Sequence, residues 1–540
     1  MQHSYNVERF KETFESEYTY LNGFMRNVFR RGNEPALICP LTNRTWTYRT
    51  LNEEANRLAS SLMARGVTSD DVVMHALLNS AEFVFTYIAT HKIGCVNAPL
   101  NYRLSGGEIA LLIDQSKPKA LIYDAEFEKI ISEALRSVHH RPEIIMADLN
   151  NEMDAPEGVV TYRDFVKDGS PENPVRKDKP SIYDETTRFF TSGTTNLPKA
   201  VPVNDINEVL SAHDVIMHFP LSPKDVTMNL TPWFHRGGLH SGGPCPTLYI
   251  GGTMVILRDF TPRLALQYVS LYHITFLIGA PTVIDMLCRI QETNPRDISS
   301  LHGIVLMGSP LDKEPCKRYM KVLTPNIFNG YGTTETFWNV FLRPYDLPDK
   351  AGYAGGACTD DDVRVVRVDT TKHVSPDELV PMDKETVGEV VIFAPNKSTF
   401  AYYDNPKTTE EKFHNGWLYT GDLASWDEHA YITIIGRKDD MIVSAGENIY
   451  PVQVESILNE HPKVAESLVF GIPDPKRGSV IAALIRPSDP SLTEKEMKQF
   501  CMNHPMLAPY KRPRIFRFVK ELPHNATGKL LHKLPPDFKF

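Results

Sequence analysis

Four hydroxyl side chains, a glycine and a lysine lie close together in the segment Thr191-Ser-Gly-Thr-Thr-Asn-Leu-Pro-Lys199. The preceding Arg188-Phe-Phe190 has the pattern of the end of a strand. Backbone N–H groups and hydroxyls donate hydrogen bonds to phosphate oxygens, and a lysine adds a positive charge. The spacing differs from that of the Walker A motif. The segment therefore predicts a loop that wraps a polyphosphate, with a flexible polar turn as the alternative.

Further polar and aromatic motifs follow this loop along the chain. They are Pro232-Trp-Phe-His235 with Gly238, Met307-Gly-Ser-Pro310, Tyr331-Gly-Thr-Thr-Glu335, Tyr419-Thr-Gly-Asp422, Gly436-Arg-Lys-Asp-Asp440, Gly446-Glu-Asn-Ile-Tyr-Pro451 and Pro523-His-Asn-Ala-Thr-Gly-Lys529. Each motif by itself has an ordinary interpretation: His235 as a packed core histidine, Gly421 as a turn glycine with positive φ, and Lys529 as a lysine at a helix start. Their joint occurrence is more informative than any single motif.

Taken together, these motifs resemble, in the same order, those of the acyl-adenylate-forming superfamily. That superfamily includes AMP-forming acyl-CoA synthetases, the adenylation domains of peptide synthetases and beetle luciferases. The resemblance runs from residue 191 to residue 529, whereas the first 180 residues fit in length and carry no distinctive motif. It implies an AMP-forming carboxylate–CoA ligase, that is, an acid–thiol ligase that uses ATP, Mg²⁺ and coenzyme A.

The resemblance implies a role for each nucleotide-binding segment. Because ATP and a carboxylate are both anionic, forming an acyl-adenylate depends mostly on charge neutralisation and alignment. Glu335, with Thr194, is expected to position Mg²⁺, and Thr334 to donate to the α-phosphate. Tyr331 would face the adenine, and Asp422 and Arg437 would bind the ribose. The implied nucleotide-binding residues are Thr191, Ser192, Gly193, Thr194, Thr195, Lys199, Gly308, Ser309, Pro310, Asn329, Gly330, Tyr331, Gly332, Thr333, Thr334, Asp422, Arg437 and Lys529.

The resemblance also implies an acyl pocket, a hinge and a coenzyme A loop. Lys529 would bridge the attacking carboxylate and the α-phosphate, and His235 would stand beside the reacting carboxyl group. With Thr194 and Glu335 they form the implied catalytic set. Asp439 is the implied hinge about which the C-terminal domain turns after the adenylate forms. The implied acyl pocket contains Trp233, Phe234, His235, Gly238 and Gly332, and the coenzyme A loop contains Ala445, Gly446 and Glu447.

A few positions differ from the family's usual pattern. Asn196 and Ala200 stand where glycine is usual in the phosphate loop, and Ala445 stands where the later loop often has the first of two glycines. Asparagine tolerates a left-handed backbone better than other residues with a Cβ, so the turn is expected to survive. These changes remove no charged catalytic group.

The motif residues also restrict the acid. Peptide-synthetase domains typically place an aspartate after the aromatic residue where this chain has His235-Arg236, which disfavours an amino acid. The segments 233–243, 279–284 and 307–332 combine glycines with apolar side chains, which suits a medium-chain, branched, aromatic or alicyclic acid. Recognition of a second acidic group by Arg236 stays open. A luciferase-like oxygenase, a carrier-protein acyl ligase and a non-catalytic binder are the alternatives.

Hydrophobic periodicity predicts the elements that position these motifs. Thr50–Ala64 is predicted as a helix with a capping box of Thr50 and Glu53. Strand and helix patterns then alternate, which predicts an α/β fold with substantial parallel sheet. Residues 150–180 are predicted as a surface excursion, and β-rich pieces follow Gly388. We expect a large N-terminal domain of α/β subdomains with mixed sheets and a small barrel-like part (residues 1–436), and a small mobile α+β domain (437–540) hinged near Asp439.

Composition excludes several function classes. The 540 residues carry a net charge of −9 without a basic block, which disfavours nucleic acid as a ligand. Seven scattered cysteines without a C-x-x-C pair favour reduced thiols. Charged residues near the start interrupt any signal peptide, and glycines make the uncharged stretch 237–257 a poor membrane span, better interpreted as a pocket wall with a buried strand. The sequence thus predicts a cytoplasmic protein without a transmembrane segment, and leaves a homodimer open.

Overall fold

The structure is a computed structural model that describes residues 4–150, 152–191, 198–369, 372–444, 447–474, 478–505, 507–524 and 530. Its helices are α1 (Val7–Glu17), α2 (Tyr20–Arg31), α3 (Tyr48–Ala64), α4 (Ala81–Ile93), α5 (Gly106–Ser116), α6 (Glu128–Leu135), α7 (Tyr162–Val166), α8 (Asp205–His218), α9 (Arg236–His240), α10 (Pro244–Ile250), α11 (Pro262–Tyr272), α12 (Pro281–Thr293), α13 (Lys313–Val322), α14 (Pro406–Lys412), α15 (Pro451–Leu458) and α16 (Glu494–Asn503).

The strands of the first half of the chain are β1 (Pro35–Cys39), β2 (Arg44–Thr47), β3 (Val72–Ala76), β4 (Val96–Pro99), β5 (Ala120–Asp124), β6 (Glu143–Ala147), β7 (Val160–Thr161), β8 (Glu185–Thr191), β9 (Lys199–Asn204), β10 (Val226–Asn229) and β11 (Thr253–Val255). Those of the second half are β12 (Phe276–Gly279), β13 (Gly303–Met307), β14 (Ile327–Thr333), β15 (Phe337–Leu342), β16 (Gly356–Ala357), β17 (Asp362–Val366), β18 (Gly388–Phe393), β19 (Phe413–His414), β20 (Trp417–Trp426), β21 (Ile432–Arg437), β22 (Ile442–Ser444), β23 (Glu447–Ile449), β24 (Val464–Asp474), β25 (Gly478–Pro487) and β26 (Ile515–Phe518).

The chain forms two compact units. The first contains Met1–Asp362 and Phe393–Leu418, and the second contains Val363–Ile392 and Tyr419–Phe540. The second unit thus includes residues on both sides of the boundary predicted at 436/437. The boundary at 436/437 was predicted as the point about which the C-terminal domain moves, and it stays a prediction.

Two large mixed sheets make up the first unit. One has nine strands in the order β16-β15-β14-β13-β12-β10-β11-β1-β2, and the other has seven in the order β7-β6-β5-β3-β4-β8-β9. Neighbours from β14 across to β1 run parallel, as do neighbours from β7 across to β8. The alternation of strands and helices along the sequence is what such parallel sheets require.

One hydrophobic core connects these two sheets. It includes Leu37 of β1 and Val73 of β3, together with the inner faces of α3 and α4. Every residue of α4 is buried, including the polar Glu82, His91 and Lys92, and the helix has no separate polar face. The helix begins at the capping residue Ser80 and ends at Gly94, whose φ is +85°. α4 thereby fixes the two sheets of the first unit to each other.

The second unit contains smaller, β-rich pieces. β17, β18, β20 and β21 belong to one sheet, β22 pairs with β23, and β24, β25 and β26 form a three-stranded sheet. β25 pairs antiparallel with β24 and parallel with β26. Val454 and Leu458 of α15 and Met497 of α16 pack with these strands in one core. The predicted α/β class with mixed sheets and a small C-terminal part is confirmed.

Several local predictions need correction. α3 is capped by Thr47, whose side chain forms the capping box with Thr50, so Thr50 is the third helical residue and Glu53 takes no part. Residues 150–180 are not wholly a surface excursion. β7 pairs with β6, and Tyr162 and Phe165 are buried because α7 packs into the core.

The structure also bears on the expectations from composition. All seven cysteines are buried and none forms a disulfide. The stretch 237–257 forms parts of α9, α10 and β11, and so contains the expected buried strand. None of the helices in the described part of the chain combines the length and apolar character that crossing a bilayer requires.

Candidate functional site

Four predicted site segments leave the nine-stranded sheet at the same edge. The neighbouring strands β10, β12, β13 and β14 run parallel, with Asn229 opposite Ile278, Gly279 opposite Leu306, and Met307 opposite Gly330. The segments that follow their carboxyl ends are 230–235, 280–281, 308–310 and 334–335. In open α/β sheets, ligands bind outside the carboxyl ends of the strands. The fold thus brings the predicted acyl and nucleotide segments to one place.

A tyrosine links two of the charged residues predicted from the sequence. The Tyr402 hydroxyl donates to Oε1 of Glu335 at 2.5 Å, and the Lys199 ammonium lies 5.3 Å from the centre of the Tyr402 ring. Lys199 pairs with Thr191 across the β8–β9 hairpin, so it stands at the base of the predicted phosphate loop. The backbone of Tyr403 donates to the carbonyl of Ala200 at 2.9 Å. Glu335, Lys199 and the segment around Tyr402 therefore form one cluster.

Tyr402 was not among the residues predicted from the sequence. The signal that could have found it is the aromatic pair Tyr402-Tyr403 just before the helix cap Asn405 and Pro406. Such a pair has many ordinary interpretations, and its contact with Glu335 spans 67 residues of sequence. Only the fold reveals the pairing.

The site glycines are required by close backbone contacts. A Cβ on Gly332 would lie 1.6 Å from the carbonyl oxygen of Phe337, and one on Gly238 would lie 1.9 Å from that of Pro232. Either contact is far below van der Waals distance. These glycines therefore allow the Tyr331–Glu335 and Pro232–Gly238 segments to fold back on themselves.

Aromatic side chains line the segment after β10. Trp233 is 1% exposed and Phe234 is 4% exposed. The His235 ring lies 4.0 Å from the Phe234 ring, and Tyr102 packs edge-on against Phe234 at 4.9 Å. Burial, with a smaller effect of the Arg103 charge, lowers the pKa of His235 to about 4. Among the described residues, Nε2 of His235 and Nε1 of Trp233 have no hydrogen-bond partner. The arrangement suits an uncharged ligand and a neutral imidazole.

The contacts of Arg236 disfavour a role in binding a second acidic group of the substrate. It is 2% exposed, and its guanidinium donates to the carbonyls of Thr334 and Lys397 at 2.7 and 2.6 Å. Its Nε lies 3.3 Å from Nδ1 of His240. These contacts engage the guanidinium with the protein itself.

The predicted ribose-binding residues lie in the second unit. Asp422 on β20 is opposite Arg437 on β21, and Nη1 of Arg437 donates to Oδ1 of Asp422 at 2.6 Å. Gly421 has a φ of +74°, as predicted, although it lies within β20 rather than in a turn. Asp439 is exposed in the turn that follows β21. A paired carboxylate and guanidinium on neighbouring strands offer both an acceptor and a donor to a sugar.

Several predicted residues lie outside the described part of the chain. They are Ser192, Gly193, Thr194, Thr195, Asn196, Ala445, Gly446 and Lys529. Their neighbours are described: Thr191 and Lys199 close the first loop, and β22 and β23 pair with Ser444 opposite Glu447. Gly308, Ser309 and Pro310 are exposed after β13, and Asn329 and Gly330 are buried within β14.

The carboxyl ends of the parallel strands bring together a carboxylate and a buried aromatic segment, with the predicted phosphate loop beside them. This arrangement is typical of α/β enzymes that bind a nucleotide and a small molecule. Comparison with known proteins then gives the family. Residues 24–403 match the AMP-binding enzyme family, and residues 453–529 match the AMP-binding enzyme C-terminal domain. The chain belongs to this family of AMP-binding enzymes.

Individual relatives are similar over almost the whole chain. A feruloyl-CoA synthase of Amycolatopsis sp. is 30% identical over 487 residues, which cover 90% of this chain and 92% of the relative. An anthranilate CoA ligase in complex with anthranoyl-AMP superposes with a TM-score of 0.84 at 26% identity, covering 95% of this chain and 96% of that one. The o-succinylbenzoate coenzyme A synthetase of Bacillus subtilis, in complex with ATP and a magnesium ion, has a TM-score of 0.81 at 27% identity, covering 95% and 98%.

These findings establish the type of enzyme. The protein is an acid–thiol ligase of the AMP-forming type, and ATP, Mg²⁺ and coenzyme A are its cofactor and co-substrates. The chemistry of the described site fits the metal, because Glu335 offers a partly buried carboxylate and Mg²⁺ prefers hard oxygen ligands. The Tyr402 hydroxyl occupies one side of that carboxylate and so orients it.

Proposed function

We propose that this ligase activates a carboxylic acid that is apolar and uncharged apart from its reacting carboxylate, with a small aromatic acid as the preferred substrate. In the first half-reaction a carboxylate oxygen bonds to the α-phosphorus of ATP, and pyrophosphate leaves. In the second, the coenzyme A thiol gives its proton to solvent, its sulfur bonds to the acyl carbon, and the bond from that carbon to the phosphate oxygen of AMP breaks, so that AMP leaves. The single observation that carries the proposal is the convergence of the Glu335–Tyr402–Lys199 cluster and the buried aromatic segment 233–235 at one sheet edge.

Each site segment has a separate role in the first half-reaction. A bound Mg²⁺ would supply positive charge that neutralises the phosphates. Glu335 would hold it, with Thr194, and the loop from Thr191 to Lys199 would hold the β- and γ-phosphates. Asp422 and Arg437 bind the ribose, and Lys529 stabilises the negative charge that develops between the carboxylate and the α-phosphate. Such stabilisation is the largest contribution when both reactants are anions.

The side chains of the acyl segment support the choice of acid. Trp233, Phe234 and Tyr102 present apolar faces, and His235 is neutral at physiological pH because burial lowers its pKa to about 4. These residues therefore present no charged group to the part of the acid that lies beyond its carboxylate. The relatives named above act on feruloyl, anthranoyl and succinylbenzoyl groups, each of which contains an aromatic ring, although the succinylbenzoyl group also carries a second carboxylate.

The second half-reaction needs a different arrangement of the same chain. We propose that residues 437–540 turn about Asp439, remove Lys529 and bring Ala445, Gly446 and Glu447 to the coenzyme A thiol. The exposed turn position of Asp439 supports this assignment.

We also propose that the protein is cytoplasmic, which is supported by seven buried thiols outside any disulfide. A homodimer is proposed as well, and a measurement of molar mass in solution tests it.

The test is a panel of carboxylic acids in which pyrophosphate release and coenzyme A consumption are followed separately. Aromatic, alicyclic, branched, medium-chain and dicarboxylic acids form the panel, and single-ring aromatic acids are expected to give the highest kcat/KM. Pyrophosphate release without AMP formation that depends on coenzyme A would contradict the proposed second step. Light emission or oxygen uptake with the same acids would indicate an oxygenase instead.

Lys529→Ala separates the two half-reactions. We expect adenylation to fall by roughly 10²–10³-fold because one positive charge at the reacting oxygens is lost. Thioester formation from supplied acyl-adenylate should be largely retained. Lys520→Ala, at an exposed lysine nearby in sequence, is the matched control and should leave both steps unchanged. Equal losses of both half-reactions in Lys529→Ala would argue against two arrangements of the chain.

A further inference from the structure

Arg236 reaches two chain segments from the start of α9. Its Nη1 donates to the carbonyl oxygen of Thr334 at 2.7 Å, and its Nη2 donates to that of Lys397 at 2.6 Å. The guanidinium is also 3.4 Å from Oγ of Ser211. A planar guanidinium with several donors is suited to holding two acceptors at fixed positions.

The two segments held by Arg236 are those that carry Glu335 and Tyr402. Thr334 directly precedes Glu335, and Lys397 begins the stretch that leads to Tyr402. The Tyr402–Glu335 hydrogen bond joins the same two segments a second time. Arg236 therefore fixes the backbone on both sides of that hydrogen bond.

The far end of the Glu335 turn also contacts this network. Phe337 has a φ of +60°, which is unfavourable for a bulky residue and persists where surrounding contacts impose it. Arg236 lies 5.7 Å from the centre of the Phe337 ring, and the His240 ring packs edge-on against it at 5.6 Å. Trp338 stacks on Phe337 at 5.0 Å. Arg236 thus contacts the turn before and after Glu335.

The charge of Arg236 is balanced in the interior. Nε of Arg236 donates to Nδ1 of His240, and Nε2 of His240 donates to Oε2 of Glu208 at 2.6 Å. Burial, opposed by the charge of Glu208, lowers the pKa of His240, which favours this neutral tautomer. Burial lowers the pKa of Arg236 to about 10, so the guanidinium is still protonated at neutral pH. An arginine, a neutral histidine and a glutamate then form one buried, charge-balanced chain.

Glu208 is committed to this chain by its other contacts. Tyr87 donates to Oε2 at 3.0 Å and Thr187 donates to Oε1 at 2.7 Å. The thiol of Cys245 lies near the same atoms, and the three side chains could be considered as metal ligands. Both carboxylate oxygens of Glu208 already accept hydrogen bonds from neutral groups, which disfavours a metal at this cluster. Glu208 instead supplies the negative charge that balances Arg236.

We propose that Arg236 is a positioning residue for adenylation: its buried guanidinium holds the Thr334 and Lys397 backbones and so sets the Glu335 carboxylate where Mg²⁺ would bind. The inference rests on the proposed role of Glu335. A lysine cannot replace this arginine, because one ammonium group cannot span both carbonyls in a fixed plane. Supporting residues behind a metal ligand typically affect metal affinity or activity by roughly 10–100-fold.

The test measures ATP binding by calorimetry in the absence of an acid, once with Mg²⁺ and once with a chelator. The wild-type protein should bind ATP more tightly with Mg²⁺. In Arg236→Lys we expect this gain to shrink by roughly 10-fold, with ATP binding in chelator unchanged. The Mg²⁺ concentration for half-maximal pyrophosphate release should rise in parallel, and thioester formation from supplied acyl-adenylate should be retained.

Arg258→Lys is the matched control. The Arg258 side chain is 4% exposed and pairs with Asp124 at 2.8 Å and Glu126 at 2.7 Å, away from the Glu335 turn in sequence. It should lower stability without changing the effect of Mg²⁺ on ATP binding. An unchanged Mg²⁺ effect in Arg236→Lys, as in this control, would overturn the inference.

Two further measurements keep the result decisive. If Arg236→Lys does not fold, the double variant Arg236→Met/Glu208→Gln removes both charges and so avoids leaving an unpaired buried ion. It should show the same loss of the Mg²⁺ effect on ATP binding.

Tyr402→Phe should reduce the Mg²⁺ effect on ATP binding less in the Arg236→Lys background than in the wild type, because both changes release the Glu335 carboxylate. A wild-type protein whose ATP binding ignores Mg²⁺ would overturn the proposed function itself; an intact Mg²⁺ effect in the double variant overturns only the role of Arg236.

Discussion

Gly332 lies near the end of β14, just before the chain folds back into β15, and a Cβ there would be 1.6 Å from the Phe337 carbonyl oxygen. We therefore expect Gly332→Ala to displace the Glu335 turn, lowering the free energy of unfolding by roughly 1–3 kcal/mol and weakening Mg·ATP binding. Denaturant unfolding and calorimetry measure the two effects.

Gly107→Ala is the control for that substitution. Gly107 lies in α5, and a Cβ there would have no heavy atom within 4 Å. Alanine is favoured over glycine in a helix, so stability should rise by up to about 1 kcal/mol, with ATP binding unchanged. A Gly332→Ala protein that matches this control in both measurements would show that the turn tolerates a side chain.

Single residues also show where sequence reasoning ends. Asp422 and Arg437 were predicted to act on one ligand group, and they form an ion pair in the structure. Tyr402 and the positioning contact of Arg236 could not be predicted, because they join residues 67 and 98 positions apart. A motif records the residues of one segment, whereas these contacts depend on how strands are ordered in a sheet.

Between neighbouring elements, His75 of β3 joins Asn97 of β4 through a 2.9 Å hydrogen bond in the middle of the seven-stranded sheet. Burial lowers the pKa of His75 to about 4, whereas an unfolded histidine titrates near 6.5. Between these values the unfolded chain binds more protons than the folded one, so lowering the pH from about 6.5 to 4 destabilises the protein. The contribution from His75 is roughly 3 kcal/mol.

Urea unfolding at a series of pH values tests this expectation. His75→Gln, which retains a donor for Asn97, should flatten the fall in unfolding free energy below pH 6.5. His414→Gln, at an exposed histidine of the same unit, is the control substitution. An equally steep fall in His75→Gln would exclude His75 as a source of acid sensitivity.

Hydrophobic periodicity predicts single elements from sequence because it reports local burial. The predicted helix Thr50–Ala64 ends at the same residue as α3, which begins two residues earlier, at Tyr48. The strand order β12-β10-β11-β1 could not be predicted, since it does not follow sequence order and depends on long-range pairing. Function was nevertheless predictable at the level of the family, because the site motifs stand at element ends.

In the molecule as a whole, the chain passes between its two units at 362/363, 392/393 and 418/419. Asp439 lies beyond the last of these points, in an exposed turn after β21. Proline restricts φ to about −65°. We expect Asp439→Pro to slow thioester formation from supplied acyl-adenylate much more than it slows pyrophosphate release.

Asp439→Ala is the matched variant, because it removes the carboxylate and leaves φ free. It should retain both half-reactions, which can be followed in the same two assays. Wild-type thioester formation in Asp439→Pro would remove this residue as the hinge, and equal losses in both variants would indicate a role for the carboxylate instead.

The burial of all seven cysteines has a practical consequence for observing such a movement. Burial raises the pKa of Cys288, Cys316 and Cys501 to about 11, and that of Cys95, Cys245 and Cys358 as well, so thiolates are scarce in the folded protein. Maleimide dyes would then attach selectively to cysteines introduced at exposed positions. With a donor fluorophore on one unit and an acceptor on the other, energy transfer would report the distance between the two units without removal of any natural cysteine.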